Sequence, residues 1–436
     1  MWPLVLFSQN SFRFAGNNAK VEIPFELVNN LIILQVKIND VPLKLIFDTG
    51  IKQTILINLK STDSIHLKGL QTKKFAGIGK DNLSIEGLSS THNKINLDNK
   101  LQNTNAKVYI ITGVDFHFSE SIGININGFI GGELIKDFLV KIDYKRKKLV
   151  FYEPNRFNYK KLRRLHQYAL EIINDKPYIR AFIKIHKKAP RIDSLKFLID
   201  TGNSDALWIL NKTKLQMPSE QKTVNDYFGL GFSGAIKGQR AKSYRFGFDK
   251  KIKFKHIYVA LPDSIYFKHI VAQNPFDGLI GNEILRRFYV WLDYKNKKLY
   301  LKKYGRNYRQ PFLFNDTGLY LAYEGKIPVE VKKLVSQFNT TNEGGRIKVF
   351  QEESYIYEYK MVDRIVINYI RKDSPADRAG LMAGDILLKI NNEDVYQYRL
   401  DQLEKKFFFH NREHLTFLIK RKGLILSFNV FNKKQL

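Results

Sequence analysis

Apolar and polar positions along the chain fall into short strand-like runs closed by turn residues. Val21, Ile23, Phe25 and Leu27 alternate with polar neighbours, Leu31–Ile38 reads as a strand, Asn39 and Asp40 as a turn, and residues 42–47 as the returning strand. Residues 53–57 form a further strand and 75–79 a glycine-punctuated loop. An apolar glycine segment follows at 128–135, and a closing hairpin runs through 139–152 across the basic turn 145–148. The same order then repeats, with strands at 178–185 and 195–199, a glycine loop at 228–231, a glycine segment at 278–285 and a closing hairpin at 290–300. Five features in one order at nearly one spacing indicate an internal duplication. Residues 160–165 read as a basic helical linker between the copies, and after Arg306 the pattern changes.

Each copy brings an apolar run to a carboxylate, a hydroxyl and a glycine: Leu45-Ile46-Phe47-Asp48-Thr49-Gly50 and Phe197-Leu198-Ile199-Asp200-Thr201-Gly202. Asp200 follows Asp48 by 152 positions, and Gly281 follows Gly131 by 150. A carboxylate at the buried end of a strand is costly unless it is hydrogen-bonded, paired or used. One Asp-Thr-Gly is ordinary turn chemistry, so it is the duplication that suggests two carboxylates brought face to face.

Composition narrows the chemistry. Apolar content of 44% and aromatic content of 13% over 436 residues describe a globular chain with ample core. The absence of cysteine removes thiol nucleophiles, disulfides and cysteine-based zinc sites. A net charge of +30 permits anionic partners, but the basic residues are dispersed through strands and turns, so no specific nucleic-acid partner is read from them.

With these motifs in view, the duplicated half resembles the retropepsin-like aspartic proteases. The match lies in Ile46-Phe47-Asp48-Thr49-Gly50 with Phe129-Ile130-Gly131, and in Leu198-Ile199-Asp200-Thr201-Gly202 with Leu279-Ile280-Gly281. The resemblance covers roughly residues 20–303. It implies two β-barrel lobes related by a pseudo-twofold axis, with Asp48 and Asp200 as catalytic residues. Thr49 and Thr201 would lock the two loops across the lobes, while Gly50, Gly202, Gly131 and Gly281 support them. Gly77, Ile78 and Gly79, with Gly229, Leu230 and Gly231, would be the flaps that close over substrate. The chain departs from the family after each Asp-Thr-Gly, where Ile51 and Asn203 replace the usual Ser or Ala. A bulky Ile51 either crowds the site or faces the core.

The C-terminal region resembles a bacterial, circularly permuted PDZ domain, β with two short helices. The matching residues are Ser374-Pro375-Ala376, Ala379-Gly380-Leu381, Gly384-Asp385-Ile386-Leu387 and Ile390-Asn391. By that resemblance Gly318, Leu319, Tyr320 and Leu321 would hold the C-terminal carboxylate of a bound peptide. Residues 330–360 are polar and read as an irregular loop or insertion. Two further motifs are set aside. Gly229-Leu230-Gly231-Phe232-Ser233-Gly234 spells a dinucleotide fingerprint without the amphipathic helix that must follow it. His410-Asn411-Arg412-Glu413-His414 spells an inverted zinc-peptidase motif in a polar connection rather than on a helix.

The expected organisation is therefore mainly β: an N-terminal segment (1–19), two lobes (20–155 and 156–305) and a PDZ domain (306–436). The expected function is an aspartic endopeptidase acting on polypeptides, with no cofactor and no metal, whose PDZ domain captures C-termini. The alternative is a catalytically silent peptide-binding protein that keeps the cleft. The apolar start, Met1 to Phe7, suggests export to a periplasm-like space, with the cytoplasm as alternative. No stretch of the sequence reads as membrane-spanning.

Overall fold

The computed structural model describes residues 11–59, 65–76, 84–112, 117–231, 234–273, 276–407, 413–431 and 433–436. The Met1–Phe7 run and Gly77, Ile78 and Gly79 lie outside the described residues, as do His410, Asn411 and Arg412. The chain is mainly β and divides into two compact units, residues 1–314 with 434–436, and residues 315–433. Among the described residues no helix is long and apolar enough to cross a membrane.

In the first unit each repeat forms its own sheet. Strands Leu31–Ile38 and Val41–Phe47 pair antiparallel around Asn39 and Asp40, whose positive φ angles suit the tight hairpin turn that favours Asn and Asp. The turns Asn29-Asn30 and Asn174-Asp175 repeat this device in the two copies. Val41–Phe47 pairs parallel with Gly128–Ile130, and Ile192–Ile199 pairs parallel with Gly278–Ile280. These strands are buried on both faces, which explains their uninterrupted apolar runs.

A third, six-stranded sheet joins the repeats. Leu139–Asp143 pairs antiparallel with Phe288–Asp293, with Leu139 opposite Asp293, Val140 opposite Leu292 and Lys141 opposite Trp291. At the repeat spacing of 150, Trp291 is the counterpart of Lys141, so this register is self-symmetric about that pair. The pseudo-twofold relation between the lobes is written into one antiparallel ladder. One large apolar core runs through both lobes.

The second unit is a six-stranded sheet with a separate core built from Leu319, Leu321, Ile365, Leu387, Leu403 and Phe417, among others. Its short helices are Pro375–Arg378, capped by the Ser374 side chain, and Leu400–Lys406. The stretch 330–360 is not an irregular loop. Leu319–Glu343 and Arg346–Ile370 form one long antiparallel hairpin whose ladder runs out to Glu343 opposite Arg346. Gly344 and Gly345, both at positive φ, close its tip. Scattered Lys, Glu and Ser hide the strand alternation there, and no side chain of 330–360 is buried.

Candidate active site

Asp48 and Asp200 stand at the ends of the two buried strands, each fixed by its own backbone. The Asp48 N–H donates to the Ile130 carbonyl at 3.0 Å, and the Asp200 N–H to the Ile280 carbonyl at 3.0 Å. The next residues tie the lobes together. The Thr49 N–H donates to Thr201 Oγ1 (3.0 Å) and the Thr201 N–H to Thr49 Oγ1 (3.1 Å). The Thr49 hydroxyl donates to the Ile199 carbonyl (2.6 Å), and the Thr201 hydroxyl to the Phe47 carbonyl (2.8 Å). Both threonines are fully buried, so each hydroxyl satisfies groups that water cannot reach.

The glycines leave room for the carboxylates. The Gly50 N–H donates to Asp48 Oδ1 (2.7 Å) and the Gly202 N–H to Asp200 Oδ1 (2.9 Å). A Cβ on Gly50 would lie 2.9 Å from Asp200 Oδ1, and one on Gly202 would lie 2.3 Å from Asp48 Cγ. Each glycine therefore abuts the carboxylate of the opposite lobe, and the two carboxyl groups meet at Gly50, where a Cβ would also lie 3.0 Å from Asp48 Oδ1. Gly131 and Gly281 back the same loops: a Cβ there would meet the Lys52 and Ile51 carbonyls at 2.6–2.7 Å, or the Asp205 carbonyl at 2.3 Å.

Burial and proximity set the charge. Desolvation raises the Asp200 carboxyl well above the ordinary range, and the Asp48 charge raises it further. Asp48 is raised by burial too, but the Gly50 N–H, the hydrogen bond with Asp200, the Lys176 ammonium and the Ile51 N–H all pull it back. The pair thus favours holding a proton, which belongs to the two carboxyls together.

The two departures from the expected motif have structural roles. Ile51 packs against the apolar cluster of Ile33, Ile46 and Phe129, so it faces core rather than carboxylate. Asn203 Oδ1 accepts the Asp205 N–H (2.8 Å) and steadies the second loop.

Several residues around the site carry no obvious motif. Lys176 starts the strand after the Asn174-Asp175 turn, where the first lobe has Leu31, and its charge acts on both carboxylates. Tyr144 donates to Asn282 Oδ1 (2.7 Å), and Asn282 Nδ2 donates to the Thr201 carbonyl (2.7 Å). Its repeat counterpart Tyr294 is equally buried, but the place of Asn282 is taken by Gly132, whose missing side chain makes room for the Asp175 carbonyl. Tyr294 Oη finds no partner among the described residues. Recurrence of Asp-Tyr-Lys at 143–145 and 293–295 could have flagged both tyrosines.

Gly229, Leu230 and Gly231 lie at the end of the strand Thr223–Gly231, which pairs with Gly234–Lys242 as a hairpin, and a strand rather than a helix follows the glycines. Its base is clamped. Arg240 Nε bonds Asp226 (2.6 Å), and Arg240 Nη2 reaches Asp205 (3.2 Å), which also accepts from Trp208 Nε1 (2.8 Å). The first lobe's hairpin joins Gln71–Ala76 to Ser84–Leu97, with its tip outside the described residues.

In the second unit, Gly318, at φ +78°, opens the strand that carries Leu319, Tyr320 and Leu321. Two of the N–H groups expected to hold a carboxylate, those of Gly318 and Leu319, are engaged within the loop. Gly318 N–H donates to Asn315 Oδ1 (3.1 Å), and Leu319 N–H to Thr317 Oγ1 (3.3 Å). Asn315 Nδ2 closes the ring on the Leu319 carbonyl (2.7 Å).

Comparison with known proteins bears mainly on this unit. Residues 366–421 match the family model for the PDZ domain, so the C-terminal unit contains a PDZ domain. No curated protein matches the chain. Among solved structures, the aspartic proteinase from Irpex lacteus matches with 13% identity and a TM-score of 0.40, over 66% of this chain and 98% of that one. Among the described residues no group of His, Cys, Asp and Glu could hold a metal ion.

Proposed function

We propose that the chain is an aspartic endopeptidase whose Asp48/Asp200 pair activates a water against a peptide carbonyl. The observation that carries this reading is the meeting of two half-buried carboxyl groups across lobes locked by the reciprocal Thr49–Thr201 bonds. Two carboxylates in one desolvated site cannot both ionise cheaply, so they share a proton. The ionised member of the pair takes a proton from water as it attacks. Its protonated partner donates to the carbonyl oxygen as it becomes tetrahedral. A proton then passes to the leaving nitrogen, and the pair returns to its starting state. The hairpin Thr223–Lys242, clamped by Arg240, closes over the substrate from the second lobe.

The PDZ domain binds extended polypeptide, and sharing one chain with the cleft raises the local substrate concentration. Incubation of an unfolded protein substrate with the wild-type chain and with Asp200→Asn tests the reading. Fragments must appear with the first and not with the second, while both melt as folded proteins. A silent peptide-binding protein would cleave in neither case.

A further inference from the structure

The strand Leu319–Glu343 is an edge strand: its one neighbour in the sheet is Arg346–Ile370. Helix Leu400–Lys406 packs against this strand and contributes Leu400 and Leu403 to the same core as Leu319 and Leu321. An open strand edge beside a helix is a place where an extended chain can add as a further strand. What would normally end that chain at the groove is a terminal carboxylate, and here the first two of its four expected donors, the Gly318 and Leu319 N–H groups, are taken. Asn315 Oδ1 accepts from Gly318 N–H, and Thr317 Oγ1 from Leu319 N–H. Displacing them would also strand the Asn315 Nδ2 bond to the Leu319 carbonyl.

At the other end the edge does not stop with the domain. It continues along the hairpin arm to Glu343, about 60 Å at some 3.3 Å per residue. That arm is two-stranded and exposes Leu334, Phe338, Ile347, Val349, Tyr357 and Tyr359, with Phe338 at 75% and Tyr359 at 77% of full exposure. A two-stranded ribbon is marginal in water and is stabilised by a third strand paired along its edge.

We infer that the edge 319–343 takes an extended internal segment of an unfolded polypeptide, apolar at alternate positions, and needs no free C-terminus. The self-bonded loop removes the requirement for a carboxylate, and the continuous edge provides backbone donors and acceptors well beyond the groove. The edge strand carries Lys326, Lys332 and Lys333 against Glu324, Glu330 and Glu343, so apolar positions rather than charge set its preference. This goes beyond peptide binding by the PDZ domain, and it does not depend on catalysis.

The test uses the full chain carrying Asp200→Asn, so that nothing is cleaved, and a fluorescein-labelled peptide of alternating Val and Glu long enough to span the arm. The peptide is made with a free C-terminal carboxylate and as its amide, and binding is read by fluorescence anisotropy. The two forms should bind within about twofold of each other, against the tenfold or greater loss on amidation that a charge-assisted carboxylate site produces. Replacing residues 329–360 by an Asn-Gly turn between Pro328 and Met361 should weaken both forms by about tenfold or more. Hydrogen exchange on the unshortened chain gives an independent reading, with protection expected along 319–343 when the amide is bound. Binding of the free acid alone overturns the inference. So does unchanged affinity after the arm is removed, absence of protection along 319–343, or self-association of the chain through the arm that excludes the peptide.

Discussion

Thr49 and Thr201 each donate a backbone N–H to the other's hydroxyl oxygen, at 3.0 and 3.1 Å, from positions 152 residues apart. Each hydroxyl then donates onward to the carbonyl two residues before the opposite threonine. The four bonds fix the separation of the lobes at the point where the carboxylates meet.

Removing one hydroxyl leaves a buried N–H and a buried carbonyl unpaired. Thr49→Ala or Thr201→Ala should each cost about 2–4 kcal/mol of stability. Cleavage should fall more than the melting change explains, because the carboxylates lose their spacing. Thr→Ser at either site keeps the hydroxyl and should recover most of both. Thermal melting and kcat/KM on one peptide check this; an alanine variant as active as wild type would show that the lock is dispensable.

Lys176 is the ammonium that pulls down both carboxylates. A shared-proton pair gives a bell-shaped pH profile, lost at the acid side when a second proton binds and at the basic side when the shared one leaves. Lys176→Met removes a charge that disfavours protonation, so both limbs of kcat/KM should move to higher pH, by about half a unit. A profile that stays in place would remove Lys176 from the electrostatics of the site.

Tyr144 and Tyr294 occupy equivalent places but not equivalent surroundings. Tyr144 donates to Asn282, which in turn holds the Thr201 carbonyl. Tyr144→Phe therefore leaves a buried acceptor short and should cost about 1–2 kcal/mol. Tyr294→Phe removes a buried hydroxyl without a partner among the described residues and should be neutral or slightly stabilising. Melting of the two single variants side by side decides it; equal losses would mean that the asymmetry around Asn282 and Gly132 has no energetic weight.

These cases show what a repeat makes legible. Asp48 and Asp200, their threonines and the two supporting glycine segments recur at one spacing, so the pseudo-twofold site can be read from the residues alone. Lys176 cannot, because its counterpart Leu31 is apolar and nothing repeats. The arm is hidden for another reason. Strands without a buried side chain have no core to enforce alternation, so 330–360 carries Lys, Glu and Ser among its Tyr and Val. The engagement of Gly318 by Asn315 depends on the path of a turn that residue types alone leave open.

Stability of the pair follows the same electrostatics. Both carboxyls are raised in the folded protein, so their contribution is fully present below the ordinary Asp range and is lost as pH rises through the folded value. Asp200→Asn, which cannot ionise, should raise the melting temperature at neutral pH, by roughly 2 °C for each kcal/mol relieved in a unit of this size. The gain should shrink as the pH falls through the raised folded value and be gone by about 4. A gain that persists in acid would point to packing rather than charge.

The most direct measurement compares peptide cleavage by Asp48→Asn, Asp200→Asn and the double variant, each verified as folded by its melting transition. If the two carboxylates act as one unit, each single change removes nearly all activity, and the double variant loses little more. Near-normal cleavage by either single variant would contradict a shared dyad and leave that Asp-Thr-Gly as a structural turn.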